Sequence, residues 1–301
     1  MSIRKKVLSV TLAIITCFSC INVYANEPDG KVIYEKSITI NEFDLIESQS
    51  DYEDVVDTIE DIALQNDTSL QREGYTSEQI ENLRTYIDEP TNDNLSRLGA
   101  TLTANFKFIE DGVDESDSML LGDVSGGVDG DYIIAGKYFL VYVDWEWNGK
   151  PFWQVPSISS DIIAIGWAGL DDAGHSVALE FQKEKSRITV EYIDAMGVMS
   201  ERVDQPIVVE NAWAGIYSTW KPEHMSSNKF GKKGDAVIRL KSVGSEPVNR
   251  FNIGIKYGHD AGFSPSASFN IGPFGSVGIS LDATDTLWTD SFVFDKYARP
   301  Q

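Results

Sequence analysis

From about Leu98 onward, apolar residues recur at every second position in short runs, and a turn signal interrupts them roughly every eight to twelve residues. Period two sends alternate side chains to opposite faces, which is the pattern of half-buried antiparallel strands. The expected strands begin with Thr101–Ile109, Tyr132–Trp147, Phe152–Val155, Asp161–Trp167, Ser176–Gln182 and Arg187–Asp194. They continue with Ile207–Glu210, Ala212–Trp220, Ala236–Val243, Arg250–Tyr257, Ala267–Gly272, Ser276–Asp282 and Ser291–Tyr297. Between them lie Asn148-Gly149, Asp171-Asp172-Ala173-Gly174, Lys232-Lys233-Gly234 and Gly272-Pro273-Phe274-Gly275, all turn chemistry. A helical stripe long enough to cross between parallel strands never intervenes. The pattern therefore predicts a mainly β chain: an antiparallel β-sandwich or elongated β-domain over residues 98–301.

Ahead of it, residues 26–97 read as a small acidic, partly helical segment. Val32, Tyr34, Ile38 and Ile40 alternate as one strand. Val55, Ile59, Ile62 and Ala63 then recur at helical spacing, which predicts a helix over Asp51–Gln65. Thr76 or Ser77 caps a second helix, Glu78–Ile87, and Pro90 stops it. The phrase Gly74-Tyr75-Thr76-Ser77-Glu78-Gln79-Ile80 resembles one found in uncharacterised secreted proteins of Gram-positive bacteria. It spans under a tenth of the chain and implies no activity.

The first 25 residues read as an export signal. Arg4, Lys5 and Lys6 are a basic start, Val7–Ile15 an apolar run, and Val23-Tyr24-Ala25 a cleavage site after Ala25. Both cysteines, Cys17 and Cys20, fall inside it, and Thr16-Cys17 departs from the lipoprotein pattern. The mature chain of about 276 residues then lacks cysteine, which excludes disulfides, thiolate metal sites and a cysteine nucleophile. Secretion is the expected localisation.

Charge is unevenly spread. Glu27–Asp131 holds 27 acidic and 6 basic residues, a net of −21, against −4 for Tyr132–Gln301. Such a field repels nucleic acid, which is excluded as a partner. Asp111, Asp114, Asp117, Asp123, Asp129 and Asp131 crowd a flexible acidic loop, about residues 111–131. Its oxygens suit calcium but match neither known calcium-loop spacing, so no metal or cofactor is assigned. Oligomeric state is not legible.

The densest aromatic stretch runs from Asp144 to Trp153 around the Asn148-Gly149 turn. As a two-residue hairpin it would pair Trp147 with Lys150 and Trp145 with Phe152. Trp145 and Trp147 then share one face, with Asp144, Glu146 and Trp153 on the other. Rings flanked by carboxylates suit a sugar, so the leading expectation is a non-enzymatic protein binding an extracellular or cell-surface ligand such as glycan. The Asp144/Glu146 pair also has the spacing of an inverting glycosidase, which keeps a carboxylate-dependent secreted hydrolase as a third reading. Absence of zinc and serine-elbow motifs argues against other hydrolases.

The second reading comes from residues 266–282. Phe269, Ile271, Val277, Ile279 and Leu281 alternate with serine, asparagine and glycine on either side of a Gly-Pro-Phe-Gly turn. An amphipathic hairpin of that kind fits a membrane-active, bacteriocin- or toxin-like protein, with a membrane as partner in this alternative alone.

Overall fold

The computed structural model describes residues 31–45, 49–113, 137–152, 160–194, 198–221, 223–224, 229–243, 248–260, 266–272, 275–282 and 285–295. In chain order the strands are β1 Lys31–Asn41, β2 Thr101–Val113, β3 Lys137–Asn148, β4 Ser160–Leu170 and β5 Ser176–Phe181. They continue with β6 Arg187–Ile193, β7 Met199–Asp204, β8 Val208–Asn211, β9 Gly215–Trp220 and β10 Glu223–His224. The last five are β11 Lys229–Val243, β12 Arg250–Asp260, β13 Ser266–Ile271, β14 Val277–Asp282 and β15 Asp285–Asp295. Between β1 and β2 the described residues form a 3-10 turn, Glu42–Leu45, and four α-helices: α1 Gln49–Ala63, α2 Asp67–Arg72, α3 Ser77–Asp88 and α4 Asn92–Leu98.

All strand pairings among the described residues are antiparallel, and thirteen strands form one hydrogen-bonded network. One half runs β1–β2–β3–β11–β6–β7, and the other β8–β9–β4–β12–β15. β5 is the corner between them, pairing its end with β11 (Leu179↔Ser242) and its start with β4 (Val177↔Gly169). The halves face one another across a shared core that includes Phe106, Val143, Trp145, Trp167, Ile238, Phe251 and Tyr257. The fold is thus an antiparallel β-sandwich with a helical layer, as the period-two pattern requires.

β1, the strand expected from Val32, Tyr34, Ile38 and Ile40, is an edge strand paired to β2 from Lys31↔Glu110 to Asn41↔Thr101. Two turn expectations need correction. Lys232-Lys233-Gly234 is not a turn. It lies inside the 15-residue strand β11, at a bulge in the pairing with β6. Gly234 is required there by close approach, since a Cβ would lie 2.7 Å from Cε2 of the Trp145 ring. The Asn148-Gly149 turn likewise closes no two-residue hairpin. Trp147 pairs with Leu102 of β2, and Glu146 with Thr103 of β2 and Lys233 of β11.

Two further layers rest on this frame. The helices bury Ile59, Leu70, Ile80, Leu83, Tyr86, Leu95 and Leu98 with Phe43, Tyr75 and Phe152. The β13–β14 hairpin lies on the outer side of the second sheet, where Ala267 and Ile279 pack with Ile162 and Ala164 of β4. That third layer explains why β4 is buried along its whole length, on both faces.

Candidate functional site

The aromatic face predicted to hold a ligand is interior. Trp145 and Trp147 are 2% and 1% exposed, and Trp145 stacks on Trp220 with centroids 5.3 Å apart. Tyr257 completes the cluster, 6.1 Å from Trp145, and donates its hydroxyl to Asp161 Oδ2 at 2.6 Å. Burial, reinforced by the Asp161 carboxylate, pushes the Tyr257 hydroxyl pKa up. A sugar cannot stack on rings in this position. Alternation alone could not decide which face was covered. Trp153 lies outside the described residues.

The companion carboxylates do face outward. Asp144 accepts from Asn105 Nδ2 at 2.7 Å, and Glu146 pairs with Lys232 at 3.3 Å. They belong to a charged lattice on the outer side of β3, β11, β6 and β7. There Asp235 binds Arg202 at 2.6 Å and Arg187 at 3.4 Å, while Glu191 meets Lys233 at 3.3 Å. Burial holds Asp235 above the usual carboxylate range against the pull of the two guanidinium groups. His175 is exposed and pairs with Asp171 at 3.1 Å, whose carboxyl its own backbone N–H holds below the ordinary range. The acidic side chains of residues 111–131 lie outside the described residues, and no described group of three or more acids, histidines or cysteines is placed to hold a metal.

What the Asn148–Phe152 stretch does instead is fasten the helical layer, through two residues that sequence reasoning missed. Gln79 is the third residue of α3 and closes a capping box with Thr76. Its Oε1 accepts from Lys150 N at 3.1 Å and its Nε2 donates to Lys150 O at 2.9 Å. One amide thereby satisfies both backbone groups of a buried residue. Gly149 makes this possible. It sits at φ +98°, and a Cβ there would meet the Gln79 amide at 2.8 Å. The second fastener is Glu42, fully buried, whose Oε1 accepts from Ala100 N at 2.6 Å and Oε2 from Phe152 N at 2.9 Å. Burial dominates its titration and pushes its pKa up to about 8, although both amide bonds pull it down. Phe152 then packs on Tyr75 with centroids 4.8 Å apart, and the Lys150 ammonium lies 5.1 Å from the same ring.

Where the clamped helices meet the sandwich, a cleft of about 360 Å³ opens. Gln71, Tyr75 and Thr76 form its helical wall; Asn148, Asp194 and Lys232 rise from the ends of β3 and β6 and from β11. Amide, hydroxyl, carboxylate and ammonium groups thus share the lining of one cleft with the buried Tyr75 and Phe230 rings, the composition of a polar small-molecule site. A more open groove of about 430 Å³ on the helices has no aromatic ring among the described residues of its lining.

The fold and cleft therefore define an antiparallel β-sandwich with a polar cleft beneath a helical cap. No family model and no curated sequence matches the chain. Among solved structures it is similar to the collagen-binding subdomain of the Enterococcus faecalis surface protein ACE, with 6% identity and a TM-score of 0.24. That match covers 56% of this chain and 91% of the other. It is similar to the collagen-binding domain of a Staphylococcus aureus adhesin at 8% identity and a TM-score of 0.24, covering 51% and 98%. Clostridium perfringens delta-toxin gives 8% identity and a TM-score of 0.26, covering 68% and 86%. Matches this distant place no residue of this chain in correspondence with theirs.

Proposed function

We propose that this chain is a secreted, non-catalytic protein that binds a polar extracellular or cell-surface ligand, a glycan in the first instance, in the cleft between helical cap and sandwich. The observation that supports this reading is that Gln71, Thr76, Asn148 and Asp194 line one cleft together. Sugar hydroxyls bond to such amides, hydroxyls and carboxylates. A hydrolase acting through Asp144 and Glu146 has weaker support, because both carboxylates stand on the outer sheet face, bonded to Asn105 and Lys232. Secretion follows from the basic, apolar and small-residue stretches that end at Ala25.

The test is retention of purified protein on immobilised cell-wall and extracellular polysaccharides, followed by titration of the best binder. Gln71→Ala and Asn148→Ala each remove one neutral hydrogen-bonding group, so affinity should fall roughly 2- to 10-fold per variant with near-UV circular dichroism unchanged. Equal affinity of both variants and the parent would remove the ligand from this cleft.

A further inference from the structure

The hairpin of β13 and β14 has no part in that cleft. We propose that it is a membrane-inserting element stored against the sandwich, and that several copies of the chain close a β-barrel in a bilayer when it swings out.

Charge is the first ground. Ala261–Thr284 contains a single ionisable side chain, Asp282, in a chain of which 24% is charged. The second is the division of faces. Phe269, Val277 and Leu281 are half-buried, and Ala267 and Ile279 buried, all in contact with the sheet below. Ser268, Asn270 and Ser280 face away and are exposed. Apolar residues on one side and small polar ones on the other are what a transmembrane barrel needs, toward lipid and lumen respectively.

The third ground is how the hairpin is held. Among the described residues its strands pair only with each other, so no ladder bond ties it to the sandwich. It rests instead in a trough of three glycines that are in register across neighbouring strands. Gly215 of β9 faces Gly166 of β4, which faces Gly254 of β12. Without side chains there, Phe269 seats against Gly215, Val277 Cγ1 lies 2.7 Å from where a Gly166 Cβ would stand, and Ile279 Cδ1 3.2 Å from that of Gly254. Asn252 Nδ2 donates to Gly275 O at 2.6 Å.

The fourth ground is connectivity. β12 and β15 remain paired to His259↔Asp285, and the next pair is Ser266↔Asp282. In chain order the hairpin lies between β12 and β15, and Val277 and Ile279 lie over Gly254 in the middle of β12. Swinging it out breaks no strand pairing of the sandwich. Ala261–Ile271 and Gly275–Thr284 are eleven and ten residues of sequence, the length a tilted strand needs to cross the hydrocarbon layer, about 9–11 residues. In water the move exposes the trough and the apolar residues together, so it stays closed; a bilayer replaces the lost apolar contacts. A lone hairpin would leave its edges unbonded in lipid, which is why copies must close a barrel.

The test locks the hairpin. Gly166→Cys with Val277→Cys, in the full chain carrying Cys17→Ser and Cys20→Ser, places two Cβ atoms within disulfide reach. Dye-loaded phosphatidylcholine vesicles are the target, because a net charge of −22 is repelled by anionic lipid. The reduced form should release dye, the oxidised form should release it no faster than buffer, and reduction should restore release. No release by the reduced form, or equal release by both, overturns the proposal. Ser280→Lys, on the polar face, covers the case in which the cysteine pair does not fold. It should keep release and shift the conductance of planar bilayers toward anions, and absence of conductance or of a shift again overturns it. The cleft shares no residue with the hairpin, so polysaccharide retention by the oxidised form reports on the binding reading separately.

Discussion

The buried carboxyl of Glu42 makes the attachment of the helical cap depend on pH, with a sign opposite to that of a salt-bridged acid. Its pKa rises from 4.5 to about 8 on folding, so between those values the folded chain binds a proton that the unfolded chain has released. Stability from this group is complete below the unfolded value and is lost as pH rises through the folded one. Between about pH 5.5 and about pH 8.5, linkage over that shift amounts to roughly 3 kcal/mol. Glu42→Gln provides the comparison. It keeps one acceptor for Ala100 N or Phe152 N and turns an N–H toward the other, a loss of about 1–3 kcal/mol that does not vary with pH. Urea unfolding of parent and variant at both pH values separates the two effects. The parent should lose roughly 3 kcal/mol more than Glu42→Gln on going from the lower to the higher pH, so the two stabilities converge or cross. Parallel pH dependences of the two proteins would refute the assignment, because they would mean that Glu42 stays ionised when folded.

Three other substitutions probe the attachments and the core. Gln79→Ala strips the partners from both backbone groups of Lys150, and should cost about 2–4 kcal/mol in urea unfolding at neutral pH. Gly215→Ala puts a methyl group where the Phe269 ring sits, so the hairpin should lift and become the first site of limited proteolysis while the far-UV spectrum of the sandwich is kept. Trp147→Ala, 1% exposed in the parent, should cost about 3–5 kcal/mol and lower the melting temperature, rather than selectively abolish ligand retention.

Strand positions were legible because period two reports a local property, one covered face and one less covered. Most of the β-domain expectations overlap an observed strand, but β7 and β10 were not expected and β11 starts seven residues before the expected Ala236; the helix expectations match α1 and α3. Where the local rule failed, a long-range contact had taken over. Lys232-Lys233-Gly234 has turn chemistry, yet Gly234 is there to admit the Trp145 ring from the neighbouring strand. α2 and α4, of 6 and 7 residues, are too short to repeat a stripe and are announced mainly by Asn66 and Thr91 as caps. Gln79 left a readable trace, since Thr76-x-x-Gln79 is a capping box, but its bonds to Lys150 span 71 positions. Glu42 left none. It is one acid among 47, buried only because Ala100 and Phe152, 58 and 110 positions away, bring their amides to it.

The two added layers are fastened by different physics, and that decides what can loosen each. The helical cap shares an apolar core with Phe43, Tyr75 and Phe152 and adds two buried polar ties, of which Glu42 responds to protons and the neutral Gln79 amide to loss of a partner. The hairpin is held by apolar contact over a row of glycines, which a proton does not touch and an apolar surface does. Raising the pH through the Glu42 transition should therefore raise amide exchange at Ala100 and Phe152 while leaving Ala267 and Ile279 protected. Detergent micelles should do the reverse. Loosening of both layers together under either condition would mean that the sandwich itself opens, and that the two attachments are not independent.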